Sequence, residues 1–295
     1  MSQTKKIFAL GFFDGVHLGH QALLQACVRL AAEQNAQPAA ITFDRHPQSL
    51  FSDAVPPLIN TVLDREILLR QQGITKLTVL PTTKEVMSTS WRRFLEDLVR
   101  SGAVGFVSGE DFRFGHRGEG TSEKLREFCV AHNFSCKIVP EQSLEGRRIS
   151  STHIRSLLED GQVETAACFL GHPHILSGEV TTGRQLGRTI GIPTANIPIP
   201  EGVIIPKRGV YACLAEAEGK KYPTVTNVGS RPTVGGHEVR AESWLLDFSG
   251  DLYGKQLTLE FFTFLRPEVR FDSLDALKAQ ISLDAQRVRQ LLIQR

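Results

Sequence analysis

Short apolar runs alternate with helix-like segments along the first part of the chain, up to about Gly171. The runs have the length of buried strands, and the segments carry apolar residues at helical spacing. The predicted strands are residues 7–10, 39–43, 77–80, 105–107 and 136–139. The predicted helices are residues 21–33, 64–72, 91–100, 123–133 and a segment after Ser150. This alternation predicts an α/β fold with a parallel sheet, in which ligands bind at the carboxyl ends of the strands.

Beyond about Pro173 the pattern changes to β-branched runs separated by Gly and Pro, which favours a small antiparallel β-barrel. Strands are predicted at residues 176–182, 209–216, 224–228, 242–248 and 256–265. A C-terminal helix follows a cap at Asp272 or Ser273 and is expected to pack on the barrel. Its predicted apolar face consists of Leu274, Leu277, Ile281, Val288 and Leu291. We therefore expect one domain over residues 1–171 and a second over residues 172–295.

Composition narrows the class of protein. The chain has 295 residues, 41% of them hydrophobic, with a formal charge of +2, so it can bury a large core and shows no signature of a nucleic-acid partner. It contains no apolar run of membrane-spanning length and no signal-peptide pattern, which predicts no membrane partner and a cytoplasmic location. The cysteines are odd in number and scattered, which predicts reduced core residues. They are Cys27, Cys129, Cys136, Cys168 and Cys213.

The first candidate site is the segment GFFDGVHLGH at residues 11–20, between the first predicted strand and helix. A helix N-terminus at that place favours phosphate through its free N–H groups. His17 and His20 are three residues apart, so both imidazoles can donate to one phosphate. Gly19 leaves room for a ligand beside the backbone. The alternative is a turn with two solvated histidines.

Further polar segments stand at the ends of other strands in the first half, at residues 42–47, 109–115 and 149–155. In the last of them, Ser150 and Ser151 can cap a helix and Arg155 supplies positive charge. Two helix N-termini and an arginine can then surround one polyphosphate.

The second candidate site is the glycine-rich stretch at residues 178–196, which ends in the sequence PTAN. Glycines allow a loop to fold over phosphates, and the oxygens of Thr194 and Asn196 suit Mg²⁺. The alternative for the glycines is a plain barrel turn. Glu242, on a later strand, is either a positioned carboxylate or a solvated residue.

The motifs GFFDGVHLGH, GEDFRFG and ISSTHIR together resemble the adenylyltransferase module of bacterial bifunctional riboflavin kinase/FAD synthetase, and the resemblance extends over essentially the whole chain. It implies a Rossmann-like nucleotidyltransferase domain that transfers AMP from ATP to FMN. His17 and His20 would contact the α-phosphate, Arg155 the departing pyrophosphate, and His46 and Asp111 the flavin. The other implied nucleotide-binding residues are Gly11, Phe13, Asp14, Gly15, Gly19, Ser150, Ser151 and Thr152.

The second half resembles the riboflavin kinase module of the same family. The resemblance implies ATP as co-substrate, Mg²⁺ held at Thr194 and Asn196, and Glu242 as the base that accepts a proton from the ribityl hydroxyl. The implied nucleotide-binding residues are Gly178, Gly183 and Arg188. The implied flavin-binding residues are Asn227 and Arg266.

Three alternatives remain open on the sequence. The first is a kinase whose adenylyltransferase module has lost flavin specificity, because Phe12 and residues 80–85 depart from the family pattern. The second is a flavin carrier with silent sites. The third is a tRNA-charging enzyme, since the HxGH motif also occurs there, although the chain lacks a basic surface signature.

Overall fold

A computed structural model describes residues 4–52, 54–182, 191–233 and 236–292. The chain forms two compact units. The first unit consists of Met1–Leu58 and Arg65–Ser151, and the second consists of Ile59–Asp64 and Thr152–Arg295. Within the described residues, no helix is long and apolar enough to cross a membrane.

The first unit is built on the predicted parallel sheet. Its strands are β1 (Lys6–Leu10), β2 (Gln37–Phe43), β3 (Lys76–Leu80), β4 (Ala103–Gly109) and β5 (Ser135–Val139), paired in parallel in the order β3-β2-β1-β4-β5. The helices that follow them are α1 (Leu18–Glu33), α2 (Val62–Gln71, of which residues 62–64 belong to the second unit), α3 (Lys84–Met87), α4 (Trp91–Arg100) and α5 (Ser122–His132). A two-stranded hairpin, β6 (Ser143–Leu144) and β7 (Arg147–Arg148), completes the unit.

The strand order reverses at β1, because the chain moves from β1 to β2 on one side and from β4 to β5 on the other. Right-handed crossovers therefore place α1 on the face of the sheet opposite α5. Phe8 and Leu10 of β1 pack with Leu95 of α4 and Phe128 of α5 in one buried cluster. A ligand site is expected at the carboxyl ends of β1 and β4, where the order reverses.

The second unit contains the predicted antiparallel barrel. Helices α6 (Ser151–Glu159) and α7 (Val163–Leu170) precede it, with Ser151 itself in the first unit. The strands are β8 (His174–Glu179), β9 (Ala195–Pro198), β10 (Gly209–Ala217), β11 (Lys220–Thr233), β12 (Gly236–Leu245) and β13 (Gln256–Arg266), in the order β8-β13-β10-β11-β12-β9. An isolated bridge between Thr181 and Asn196 links the two outer strands. Gly178 serves this closure, because a Cβ there would lie 2.7 Å from Ile197 Cγ2.

The C-terminal helix α8 (Leu274–Leu292) packs on β10 and β11, and Ser273 caps it by accepting a hydrogen bond from the amide of Ala276. Its buried residues are Asp284, Ala285, Val288 and Leu292. The predicted apolar face is wrong at its two ends, since Leu274 and Leu291 are exposed. The helix turns Asp284 inward instead, because that carboxylate forms a two-pronged ion pair with the guanidinium of Arg266, at 2.7 Å from Nη2.

Two other sequence predictions need correction. Strand β9 was not predicted, because it begins within the last two residues of the glycine-rich motif and ends after only four residues, at a proline. Cys168 is exposed rather than part of the core, whereas Cys27, Cys129 and Cys213 are buried as expected.

His174, at the start of β8, makes the stability of the second unit depend on pH. Burial, with a smaller effect of His172, lowers the pKa of His174 to about 3, and its Nδ1 has no hydrogen-bond partner. In the unfolded chain His174 becomes protonated near pH 6.5, whereas in the folded chain it stays neutral. The free energy of unfolding therefore falls as the pH drops below that value, by about 1.4 kcal/mol per pH unit. Urea unfolding of a Trp91→Phe variant, with Trp244 of the barrel as the fluorescent reporter, should show this slope. His174→Leu should remove it, and an unchanged slope would contradict the assignment.

Candidate active sites

The loop after β1 has a strained backbone. Phe13, Gly15 and Val16 have φ angles of 57°, 84° and 41°, a region that a β-branched valine rarely adopts. The buried ring of Phe13 lies beneath Gly11, where a Cβ would stand 2.8 Å from Phe13 Cζ. The segment therefore turns sharply between the strand and α1, and glycine is required at both Gly11 and Gly15.

The two histidines of this loop lie together, as the sequence predicts. Their rings stack with centroids 3.7 Å apart and planes 11° from parallel. His17 caps α1, and its Nδ1 accepts a hydrogen bond from the backbone amide of His20 at 3.3 Å. A neutral His17 therefore carries its proton on Nε2. Gly19 allows this stack, because a Cβ there would lie 3.2 Å from His17 Nδ1.

The electrostatic surroundings hold His20 neutral. Its burial, together with the positive charges of His17 and Arg65, lowers the pKa of His20 well below its usual value. Its Nδ1 is shielded from solvent and has no hydrogen-bond partner. The imidazole of His20 is thus a neutral donor that does not need to lose a proton.

A cavity of about 260 Å³, here the histidine cavity, joins these rings to the start of α6. Both histidines, Gly19, Ser150 and Ser151 line it, together with Asp111 after β4. The hydroxyl of Ser151 donates to the carbonyl of Asp14 at 2.9 Å and fixes the start of α6 beside the loop. Residues at the starts of α1 and α6 therefore line one cavity.

Arg148, on strand β7, also lines the histidine cavity and was not predicted. Its guanidinium bridges the carboxylates of Asp111 and Glu141, each at 2.5 Å. The sequence offers only an exposed basic pair, Arg147 and Arg148, before the ISST motif, and nothing in it distinguishes the two.

A larger cavity of about 630 Å³, here the apolar cavity, opens at the carboxyl ends of β1, β2 and β3. Leu10, Ile41 and Leu80 form its base. Its aromatic walls are Phe12, Phe43, Phe51, Phe94, Phe112 and Phe114. The sequence did not reveal it, because these rings come from separate segments without a common period. Phe12 and Leu80, where the chain departs from the expected family pattern, both line this cavity.

A row of polar side chains crosses the sheet of the second unit. Glu242 on β12 is in register with Asn196 on β9 and with Asn227 on β11. Directly opposed residues in antiparallel strands share one face of the sheet, so these three side chains form one row, here the polar row. The predicted carboxylate and the predicted amide are thus direct neighbours.

The amide of Asn196 has an oxygen that is available to a ligand. Its Oδ1 is buried without a hydrogen-bond partner, while its Nδ2 donates to the carbonyl of Thr194 at 3.3 Å. Thr194 lines a cavity of about 240 Å³ beside the loop of residues 248–253. An unpaired buried oxygen costs free energy unless something binds it, and a hard cation suits this donor set.

Comparisons with known proteins identify the family of this chain. A family model described as FAD synthetase matches residues 1–153, and one described as riboflavin kinase matches residues 170–292. The bifunctional riboflavin kinase/FMN adenylyltransferase of Listeria monocytogenes is 34% identical, covering 98% of this chain and 93% of the relative. The Escherichia coli protein of the same name is 36% identical, covering 96% of this chain and 92% of the relative. The chain belongs to the bifunctional riboflavin kinase/FMN adenylyltransferase family.

The enzyme phosphorylates riboflavin to FMN and adenylylates FMN to FAD, with ATP as co-substrate in both reactions. This confirms the predicted function and disfavours the carrier and tRNA-charging alternatives. A crystal structure described as a macrolide-efflux protein of Streptococcus pneumoniae is 31% identical and superposes with a TM-score of 0.84, covering 98% of this chain and 95% of that one.

Several predicted site residues of this bifunctional enzyme have structural contacts. His46 caps a short 3₁₀ helix through Nδ1 and meets the ring of Phe12 edge-on at 5.2 Å. Asn227 donates to Glu268 at 3.2 Å, and Arg266 is held by Asp284. Their proposed flavin contacts stay predictions. Thr152 and the buried Arg155 lie in the first turns of α6, while Gly183 and Arg188 lie outside the described residues.

Proposed function

We propose that the histidine cavity binds the phosphates of ATP for adenylyl transfer. An FMN phosphate oxygen attacks the α-phosphorus as the bond to pyrophosphate breaks, and that nucleophile is already ionised at neutral pH. The reaction therefore needs positioning and charge stabilisation rather than a base. The imidazoles of His17 and His20 donate to the α-phosphate, and the start of α6 with Ser150, Ser151, Thr152 and Arg155 receives the pyrophosphate. The observation that carries this assignment is the stacked imidazole pair at one helix start facing the serines of a second.

The apolar cavity next to that site binds the flavin ring of FMN. Its volume of about 630 Å³ and its phenylalanine walls suit a flat aromatic ring system. Phe12 lines this cavity, and His17 follows it in the same loop after β1. The loop after β1 thus contributes both to this cavity and, through the imidazoles, to the histidine cavity. The aromatic walls of the apolar cavity argue against the alternative that the first module has lost flavin specificity.

The polar row carries out the kinase reaction. Glu242 accepts the proton of the ribityl hydroxyl as its oxygen bonds to the γ-phosphorus and ADP leaves. Thr194 and Asn196 would hold Mg²⁺, which shields the charge of the phosphates when bound. The cavity beside Thr194 holds the nucleotide. A cytoplasmic location stays a prediction.

A magnesium titration of both activities tests the metal assignment. We expect Asn196→Ala to raise the Mg²⁺ concentration that half-saturates FMN formation by about tenfold or more, because it removes the unpaired buried oxygen. The conversion of supplied FMN to FAD, measured by chromatography on the same samples, is the internal control and should keep its Mg²⁺ dependence. An unchanged Mg²⁺ dependence of FMN formation would refute the role of Asn196.

A further inference from the structure

Arg65, in helix α2, is a fully buried cation of the first unit. The helix gives no sign of this, since Arg65 stands next to the ion pair of Glu66 with Arg70 on the exposed surface. Burying a guanidinium is costly unless its N–H groups find fixed acceptors. The acceptors that Arg65 uses therefore indicate its purpose.

Those acceptors connect β2 to the loop after β1. Nη1 of Arg65 donates to Thr42 Oγ1 at 2.7 Å and to the carbonyl of Phe43 at 2.8 Å, and it reaches the carbonyl of Phe12 itself only at 3.4 Å. The hydroxyl of Thr42, itself fully buried, donates in turn to the carbonyl of Phe12 at 2.7 Å. A hydroxyl has one proton, so Thr42 gives its proton to Phe12 and accepts from Arg65. These two hydrogen bonds, from Arg65 to Thr42 and from Thr42 to Phe12, are here called the relay, and the direction of donation in it is fixed.

The same guanidinium also holds the side chain of Phe12. Its central carbon lies 4.8 Å from the centre of the Phe12 ring, which is the geometry of a cation–π contact. The ring of His46 meets Phe12 edge-on. Both the backbone and the ring of Phe12 are therefore tied to Arg65, and Phe12 is a wall of the apolar cavity.

We propose that Arg65, acting through Thr42, is a positioning residue that holds Phe12 as a fixed wall for the flavin ring of FMN. This inference rests on the proposed binding of FMN in the apolar cavity. It favours arginine over lysine, because the central carbon of the guanidinium lies over the Phe12 ring while Nη1 donates to two oxygens, whereas an ammonium concentrates its donors and its charge on one nitrogen.

The matched substitutions Thr42→Val and Thr42→Ser in the full-length enzyme test it. Valine keeps the shape of threonine and loses the relay, so we expect the KM for FMN in FAD formation to rise about tenfold. Serine keeps the hydroxyl and should stay within about twofold of the parent. Arg65→Lys should resemble Thr42→Val. In all three variants the KM for ATP in FAD formation and the rate of riboflavin phosphorylation should stay unchanged.

Phe12→Ala separates this inference from the proposed function. It should raise the KM for FMN, and Thr42→Val added to it should have no further effect, because the ring through which the relay acts is gone. If Phe12→Ala leaves that KM unchanged, the proposed flavin site fails, and the inference with it. If Phe12→Ala raises it but Thr42→Val and Arg65→Lys do not, only the inference is overturned. A parallel loss of kinase activity, or of ATP affinity, in Thr42→Val would indicate general destabilisation and would also overturn it.

Discussion

Glu242→Gln should lower the rate of FMN formation from riboflavin by about 10²- to 10⁴-fold, the range expected for loss of a general base. Glutamine keeps the size and the position of the side chain in the polar row, opposite Asn196 and Asn227. It cannot accept the proton of the ribityl hydroxyl at neutral pH. The effect should fall on kcat, since the groups that bind ATP and riboflavin are unchanged.

The same preparation provides the first control. FAD formation from supplied FMN should proceed at the parent rate, because Glu242 lies in the barrel and the histidine cavity lies in the first unit. Glu216→Gln, an exposed carboxylate on β10, is a matched surface control and should leave both activities unchanged. Product chromatography after incubation with riboflavin, ATP and Mg²⁺ measures each outcome. Retention of more than a tenth of the kinase rate would contradict the role of Glu242 as base.

The sequence was sufficient for the centre of the sheet in the first unit because β1, β2 and β4 each contain a short buried run of mainly apolar residues. The run at residues 7–10, for example, forms β1 together with Lys6, and all four residues of the run are buried. Strand β9 could not be predicted in that way. Its four residues pair with β12 through backbone hydrogen bonds, and neither its length nor its composition distinguishes it from the glycine-rich segment before it.

The residues of the candidate sites were likewise predictable from the sequence in some cases and not in others. His17 and His20 were predictable because three positions within one helix bring two side chains together. The register of Glu242 with Asn196 was not, since it depends on a pairing of strands more than forty positions apart, which only the fold determines. The walls of the apolar cavity and the burial of Arg65 likewise result from tertiary packing. No local pattern marks an arginine that is destined for the interior.

His20→Ala should produce the opposite separation of activities. Loss of one preorganised donor to the α-phosphate should reduce FAD formation from FMN by about 10²- to 10³-fold, while riboflavin phosphorylation stays at the parent rate. The imidazole that the substitution removes is neutral, because burial lowers the pKa of His20. Its loss therefore leaves no charged group without an ion-pair partner. His20→Asn, which retains a donor of similar reach, should recover part of the loss. His132→Ala, which changes an exposed histidine outside the histidine cavity, is the control.

A mixture of the two inactive variants then tests whether the two sites work independently. His20→Ala protein makes FMN and stops there, whereas Glu242→Gln protein accepts FMN but cannot make it. If FMN passes through solution, the mixture should convert riboflavin to FAD after a lag that shortens as the concentration of His20→Ala protein rises. Each variant alone should give FAD at no more than about a hundredth of the parent rate. Equal loss of both activities in either single variant would mean that the imidazole pair and the polar row do not serve separate reactions, and the assignment of both sites would fail.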